Sequence, residues 1–286
     1  MTMRSKLAAA AAIAALAAAG AAQAASINVL WYTGGVQTDF GPTGTYQTDI
    51  TNLATPTAGD PSSATWNITF WSGGAMPAGS FNVLVIASPE GGWGTDPNYA
   101  ALSAGGVTLG DRLMVTGQDA DWHYLNSPGP TNFNGPQGFL RDAINWAGDG
   151  TGMGLVALGP QNGETYLADI GVTGLGAITD VNNNTVDIPP AFASFPINSD
   201  LTNAGLSNWD TSAHAEFNSS DSTIWTPINV DGAGGVITLV TEGGAGSIVG
   251  GGGPVPEPAT WALMLVGVGA LGASLRAKRS SGVATA

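Results

Sequence analysis

The chain has 286 residues, a net charge of −14 and no cysteine, so disulfides, thiol catalysis and cysteine-ligated metals are excluded. Five of the seven basic residues lie near the ends (Arg4, Lys6, Arg276, Lys278, Arg279), which leaves Arg112 and Arg141 as the only lysine or arginine between Ser26 and Pro254. That segment also holds twenty carboxylates, and its charge of −18 repels nucleic acid and anionic lipid while drawing cations.

Residues 1–25 read as a secretory signal peptide. Arg4 and Lys6 make a positive start, Leu7 to Gly20 is an alanine-rich apolar run, and Ala22-Gln23-Ala24 fits a small-x-small cleavage site. Passage through the Sec translocon and cleavage by signal peptidase after Ala24 or Ala25 are the expected consequences. The folded part is then expected over 26–242, long enough for one sizeable core despite 43 glycines.

Within it, Ile27 to Tyr32 predicts a first strand running into the turn Thr33-Gly34-Gly35, and Tyr46 to Leu53 a short helix. Trp66 to Trp71 is the next strand. Phe81 to Ala87 is a continuous apolar run, the pattern of a strand covered on both faces. It ends in Ser88-Pro89-Glu90-Gly91-Gly92-Trp93, and a short helix is expected from Asp96 to Leu102. Arg112 to Thr116 is a fourth strand, followed by Gly117-Gln118-Asp119-Ala120-Asp121-Trp122-His123-Tyr124. Pro136 to Trp146 has helical periodicity in Phe139, Leu140, Ala143, Ile144 and Trp146, with Gly148 to stop it. Met153 to Leu158 and Val236 to Val240 are strands. Asp180 to Asp187 (DVNNNTVD) reads as a turn-rich loop, and Ser207 to Phe217 as holding a short helix. Strands alternating with helices predict an α/β domain with a mostly parallel sheet flanked by helices, its glycine-rich loops lining the carboxyl edge.

The chain after 242 changes character. Residues 243–253 form a glycine-rich linker. Then come Val255-Pro256-Glu257-Pro258, an uncharged run over 259–275 and the basic cluster Arg276, Lys278 and Arg279. The prolines mark a boundary, the run is near the lower limit for a bilayer-spanning helix (roughly 17–25 residues), and the cations favour the cytoplasmic side. The stretch 254–279 resembles the PEP-CTERM sorting signal of Gram-negative bacteria. The resemblance implies export, transient residence in the inner membrane through a single transmembrane helix, cleavage by an exosortase, and transfer to the cell surface or extracellular matrix.

A second likeness is carried by Gly110-Asp111-Arg112-Leu113-Met114-Val115-Thr116-Gly117, by Ala143-Ile144-Asn145-Trp146, and by Phe195-Pro196-Ile197 with Leu201 to Leu206. This pattern is similar to the flavodoxin-like class I glutamine amidotransferase or ThuA-like group, and implies a flavodoxin-like fold. Enzymes of that group use a nucleophilic cysteine after a strand, which this chain lacks. Ser88 stands at a strand end but precedes Pro89, and no G-x-S-x-G elbow occurs. A non-catalytic protein is therefore the expectation.

Three constellations are candidates for ligand contact. Glu90 and Trp93 share one strand-end loop; Asp119, Asp121, Trp122 and His123 share another. A ring platform beside carboxylates suits polysaccharide binding, or a glycosidase-like carboxylate pair. Asp180, Asn182, Asn184 and Asp187 offer oxygens to Ca²⁺, though without EF-hand spacing, and they equally suit turns. His123 and His214 form no H-x-x-x-H pair. Phosphate-cradling motifs are absent.

Overall fold

The computed structural model describes residues 26–34, 43–56, 59–61, 64–89, 102, 104–126, 133–160 and 165–243. The signal peptide expected at 1–25, Glu90, Trp93, the helix expected at 96–102 apart from Leu102, residues 244–253 of the expected linker and the stretch 254–279 lie outside the described residues. Among the described residues no helix is long and apolar enough to cross a membrane; the run 259–275 is not among them.

Ten strands are described. β1 (Ser26–Tyr32), β2 (Thr65–Trp71), β3 (Val83–Ile86), β4 (Arg112–Thr116) and β5 (Gly154–Leu158) are followed by β6 (Ala177–Asn183), β7 (Val186–Asp187), β8 (Ala213–Asn218), β9 (Thr226–Asp231) and β10 (Val236–Glu242). Among the described residues five α-helices accompany them: α1 (Thr43–Asn52), α2 (Ala120–Asn126), α3 (Pro136–Gly148), α4 (Tyr166–Asp169) and α5 (Asn203–Leu206), with a single 3-10 turn at Pro190–Phe192. Eight strands form one sheet in the order β2-β1-β3-β5-β4-β10-β9-β7, and β6 pairs with β8 in a second, two-stranded sheet.

The expectation of a flavodoxin-like, mostly parallel sheet is overturned. The sheet is mixed: β2, β1, β3, β5 and β4 pair in parallel, but β10 runs antiparallel to β4, β9 to β10 and β7 to β9. The physical reason lies in the connection between β9 and β10. Asp231 to Gly235 closes a tight turn, with Asp231 N–H donating to the Gly235 carbonyl at 2.8 Å and Gly234 at φ +92°. A turn that short joins only antiparallel neighbours; a parallel pair needs a crossover of a dozen residues or more. The stretch expected as a turn-rich loop at 180–187 is instead strand for most of its length, in β6 and β7. The helix expected at 207–217 is β8, preceded by the four-residue α5.

Side-chain alternation along the parallel strands feeds two cores. Val29, Trp31, Val83, Val85, Met114 and Val156 face one side, where they meet Tyr46, Ile50, Phe139, Leu140 and Ile144. Leu30, Tyr32, Leu84, Ile86, Val115 and Leu155 face the other, where they meet Tyr166, Leu167, Phe217 and Trp225. Every residue of β3 is buried, as its unbroken apolar run requires. Trp31, Trp66, Trp71 and Trp146 are all core residues.

Helix α3 begins with Pro136, whose missing N–H costs nothing in a first turn, and lays Phe139, Leu140, Ala143, Ile144 and Ala147 on the sheet. Its neighbouring pair Arg141 and Asp142 is less ordinary. Arg141 is buried and paired with Asp60 at 2.5 Å. Burial, reinforced by the charges of Asp200 and Asp60 and only partly opposed by Arg141, pushes the Asp142 carboxyl up to about 8. Between its unfolded value, about 3.9, and 8, the native state holds a proton that the unfolded chain has released. Stability therefore falls as pH rises through that window, by at most about 1.4 kcal/mol per pH unit. Asp142→Asn has no such proton to lose. The gain in thermal midpoint of Asp142→Asn over the parent is expected to widen from pH 4 to pH 8 and then to level off. A gap that stays constant with pH in thermal melts would contradict this account.

Candidate functional site

The carboxyl ends of the parallel strands converge on α2. β4 leads through Gly117-Gln118-Asp119 into the helix, β3 ends in Ser88, and β1 ends beside Tyr46 of α1. Ala120 opens α2, so Asp119 sits at its N-terminal boundary and His123 stands one turn later, the separation at which two helical side chains share a face.

Asp121 and Asp119 point to different partners. Asp121 is fully buried and accepts three hydrogen bonds: from Ser88 Oγ at 2.6 Å, from the Ser88 N–H at 3.1 Å and from the Tyr46 hydroxyl at 2.9 Å. Tyr46 in turn receives the indole N–H of Trp31 at 3.0 Å. Burial pushes the Asp121 carboxyl above its ordinary value, and the neighbouring charge of Asp119 adds to this, although the bonds from Ser88 and Tyr46 oppose it. The same burial, with Asp121 beside it, pushes the Tyr46 phenol well up. This chain of groups ties β1, α1, β3 and α2 together.

Asp119 faces two imidazoles. Its Oδ1 is 3.1 Å from His123 Nε2, and its Oδ2 is 3.3 Å from His214 Nε2. His123 Nε2 also lies 2.7 Å from the carbonyl oxygen of Thr211, so this nitrogen carries the ring proton and donates it there, while Asp119 Oδ1 is left buried beside it without a hydrogen bond. Burial alone would raise the Asp119 carboxyl, but the adjacent imidazoles of His123 and His214 outweigh it and bring it down to about 2. For His214, burial works downward, and the bond to Asp119, its charge and a backbone bond to Thr211 together carry the imidazole above its ordinary value.

His214 arrives from β8, far along the chain, because Gly117 lets that strand approach. The His214 N–H donates to the Gly117 carbonyl at 2.8 Å. A Cβ on Gly117 would stand 1.9 Å from the Ala215 carbonyl oxygen, so any larger residue there would push β8 away. The loop before β8 carries Asn208 and Asp210 at φ +64° and +86°, a conformation that Asn and Asp adopt more readily than most residues. It delivers both the Thr211 carbonyl and Trp209. The His123 ring is walled by the Trp122 edge at 4.8 Å, by Trp209 at 5.5 Å and by the His214 ring, stacked at 16° and 6.4 Å. His123 is buried, whereas the side chains of Asp119 and His214 keep 15% and 29% of their exposure, so the site opens toward solvent on their side.

Of the ligand residues expected from the sequence, Asp119 and His123 therefore meet, Asp121 turns to Ser88 and Tyr46, and Trp122 packs half-buried against His123. Asp180 and Asn182 lie exposed on β6, Asn184 is an exposed residue between β6 and β7, and Asp187 on β7 accepts a hydrogen bond from Asn203 at 2.7 Å. His214 is the member of the site that sequence reasoning did not join to it. Its local signal was the alternation of Ala213, Ala215 and Phe217, all buried, which marks a strand and places His214 on the opposite side.

Residues 254–279 match the PEP-CTERM protein-sorting motif. No curated protein and no solved structure matches the chain. The motif implies an exported protein processed by an exosortase.

Proposed function

We propose that this protein serves, after exosortase processing, as a non-catalytic component of the cell surface or exopolysaccharide matrix of a Gram-negative bacterium. The sorting motif at 254–279 carries the reading. Its leader at 1–25 would take it through the Sec translocon to signal peptidase, and the apolar run 259–275 would hold it in the inner membrane until cleavage. The state of the polar groups supports binding rather than turnover. The Ser88 hydroxyl donates to Asp121, His123 Nε2 is engaged by the Thr211 carbonyl, and His214 Nε2 faces Asp119. A serine tied to a carboxylate lacks the imidazole base that would make it a nucleophile. The acidic, lysine-free domain suits a hydrated polysaccharide surrounding, with the partly exposed Asp119 and Trp122 as contacts.

Fractionation of cells with and without the exosortase tests this. With the enzyme, the protein is expected in the surface and matrix fractions, shortened by its tail; without it, at greater length in the inner membrane. Recovery from the same fraction in both strains, or from the periplasm alone, would overturn the proposal.

A further inference from the structure

We propose that Asp119, His123 and His214 form a binding site for one divalent transition-metal cation of the zinc type. This goes beyond the surface or matrix role and does not depend on it. One ligand atom from each residue, a carboxylate oxygen and two imidazole nitrogens in all, lies within 4.8 Å of the others. Ligand atoms about 2.1 Å from a tetrahedral ion stand about 3.4 Å apart. Each imidazole already stands at about that distance from an oxygen of the same carboxylate, His123 Nε2 at 3.1 Å from Asp119 Oδ1 and His214 Nε2 at 3.3 Å from Asp119 Oδ2. Both rings would close on one oxygen by adjustment of the carboxylate and of the His214 ring, the more exposed of the two imidazoles.

The chemistry of the set selects the cation. Two imidazole nitrogens with one carboxylate suit zinc and its neighbours in the transition series, while Ca²⁺ and Mg²⁺ prefer oxygen throughout. Coordination takes the Nε2 lone pair, so each neutral ring must carry its one proton on Nδ1; for His123 the proton now on Nε2 is released to solvent and Nδ1 takes one up. The Thr211 carbonyl, displaced as acceptor of the His123 proton, stays at the rim as a further oxygen donor. Three protein ligands leave a position open on the side where Asp119 and His214 reach solvent.

The site is also held in advance of any ion. His123 is fixed by Trp122 and Trp209, and β8 is seated by its bond to Gly117. The three ligands come from two elements nearly a hundred residues apart, so the cation would cross-link α2 to β8. The acidic domain around it raises the local cation concentration.

The test uses the full chain without a polyhistidine tag, stripped with chelator and then titrated. Co²⁺ is expected to give visible d–d absorption of tetrahedral intensity that saturates at one equivalent. Zn²⁺ should bleach that absorption and, at a hundredfold excess over its Kd, raise the thermal midpoint by about 5 °C or more. His214→Gln, at the exposed edge, and Asp119→Asn should each weaken Co²⁺ binding at least tenfold while circular dichroism stays that of the parent. Absence of the Co²⁺ bands in the parent chain would overturn the proposal and leave an imidazole–carboxylate hydrogen-bond network only. Undiminished binding by both variants would overturn it equally. Neither result bears on the fractionation experiment, which follows the tail and not the site.

Discussion

Replacing Asp121 by alanine is expected to lower the stability of the domain by about 3 kcal/mol or more. The carboxylate is the common acceptor for the Ser88 hydroxyl, the Ser88 N–H and the Tyr46 hydroxyl, and none of it reaches solvent. Its removal strands three donors in a dry interior, where each unsatisfied group costs roughly 1–3 kcal/mol. The two hydroxyls can rotate toward other acceptors and recover part of that loss; the backbone N–H cannot rotate. Asp121→Asn should cost less, because its amide oxygen still accepts while its NH₂ opposes a second donor. Tyr46→Phe should cost about 1–2 kcal/mol, since it removes one donor to Asp121 and leaves the Trp31 indole N–H without its acceptor. Chemical denaturation with unchanged m-values checks all three. An Asp121→Ala midpoint that matched the parent within error would show that the network does not hold β1, α1, β3 and α2 together.

That network also explains how much of the site was legible beforehand. Asp119, Asp121, Trp122 and His123 stand in one short stretch after a clear strand, so their placement at a strand end followed from local pattern. Which way each side chain turns did not. Asp119 and Asp121 are two residues apart at the start of a helix, where neighbours at that spacing do not share a face. One therefore faces the histidines and the other faces Ser88. His214 was out of reach for a different reason. Its partnership with Asp119 depends on β8 crossing Gly117, a long-range contact that no local periodicity encodes.

The fold divides in the same way. β1, β3, β4 and β5 are buried on both faces and announce themselves as apolar runs, and α3 shows its period of 3.6. The antiparallel part is quieter. β7 has two residues, β9 has Pro227 near its start, and β6 is largely exposed and rich in Asp and Asn. In β6 those residues cost the strand little, because Asp180 and Asn182 are exposed and the half-buried Asn183 donates to Asp231 at 2.7 Å. Their composition suggested a turn, and backbone pairing with β8 prevailed over propensity. Missing those strands is what made the sheet look parallel.

Arg141→Met is expected to be the other severe substitution, at about 3–5 kcal/mol. Arg141 is the only basic side chain of Lys or Arg type buried among the described residues. Its guanidinium pairs with Asp60, donates to the carbonyls of Leu53 and Ala64, and lies 4.9 Å from the Trp66 ring centre. It therefore pins the segment between α1 and β2 onto α3, a connection with little apolar surface of its own. Methionine fills much of the volume but strands the Asp60 carboxylate, whose side chain is 2% exposed, and leaves two carbonyls without donors. A buried pair gains little over apolar replacements when both partners go, yet costs heavily when one is left behind. The double variant Asp60→Asn/Arg141→Met should accordingly lose less than the sum of the two single variants, with a coupling of about 1–3 kcal/mol. Arg141→Lys keeps the charge but not the planar fork that spans Asp60 and both carbonyls, so it should fall between the parent and methionine. Urea denaturation of the four proteins measures the cycle. Additive losses would mean that Arg141 acts through its packing on Trp66 and not through Asp60.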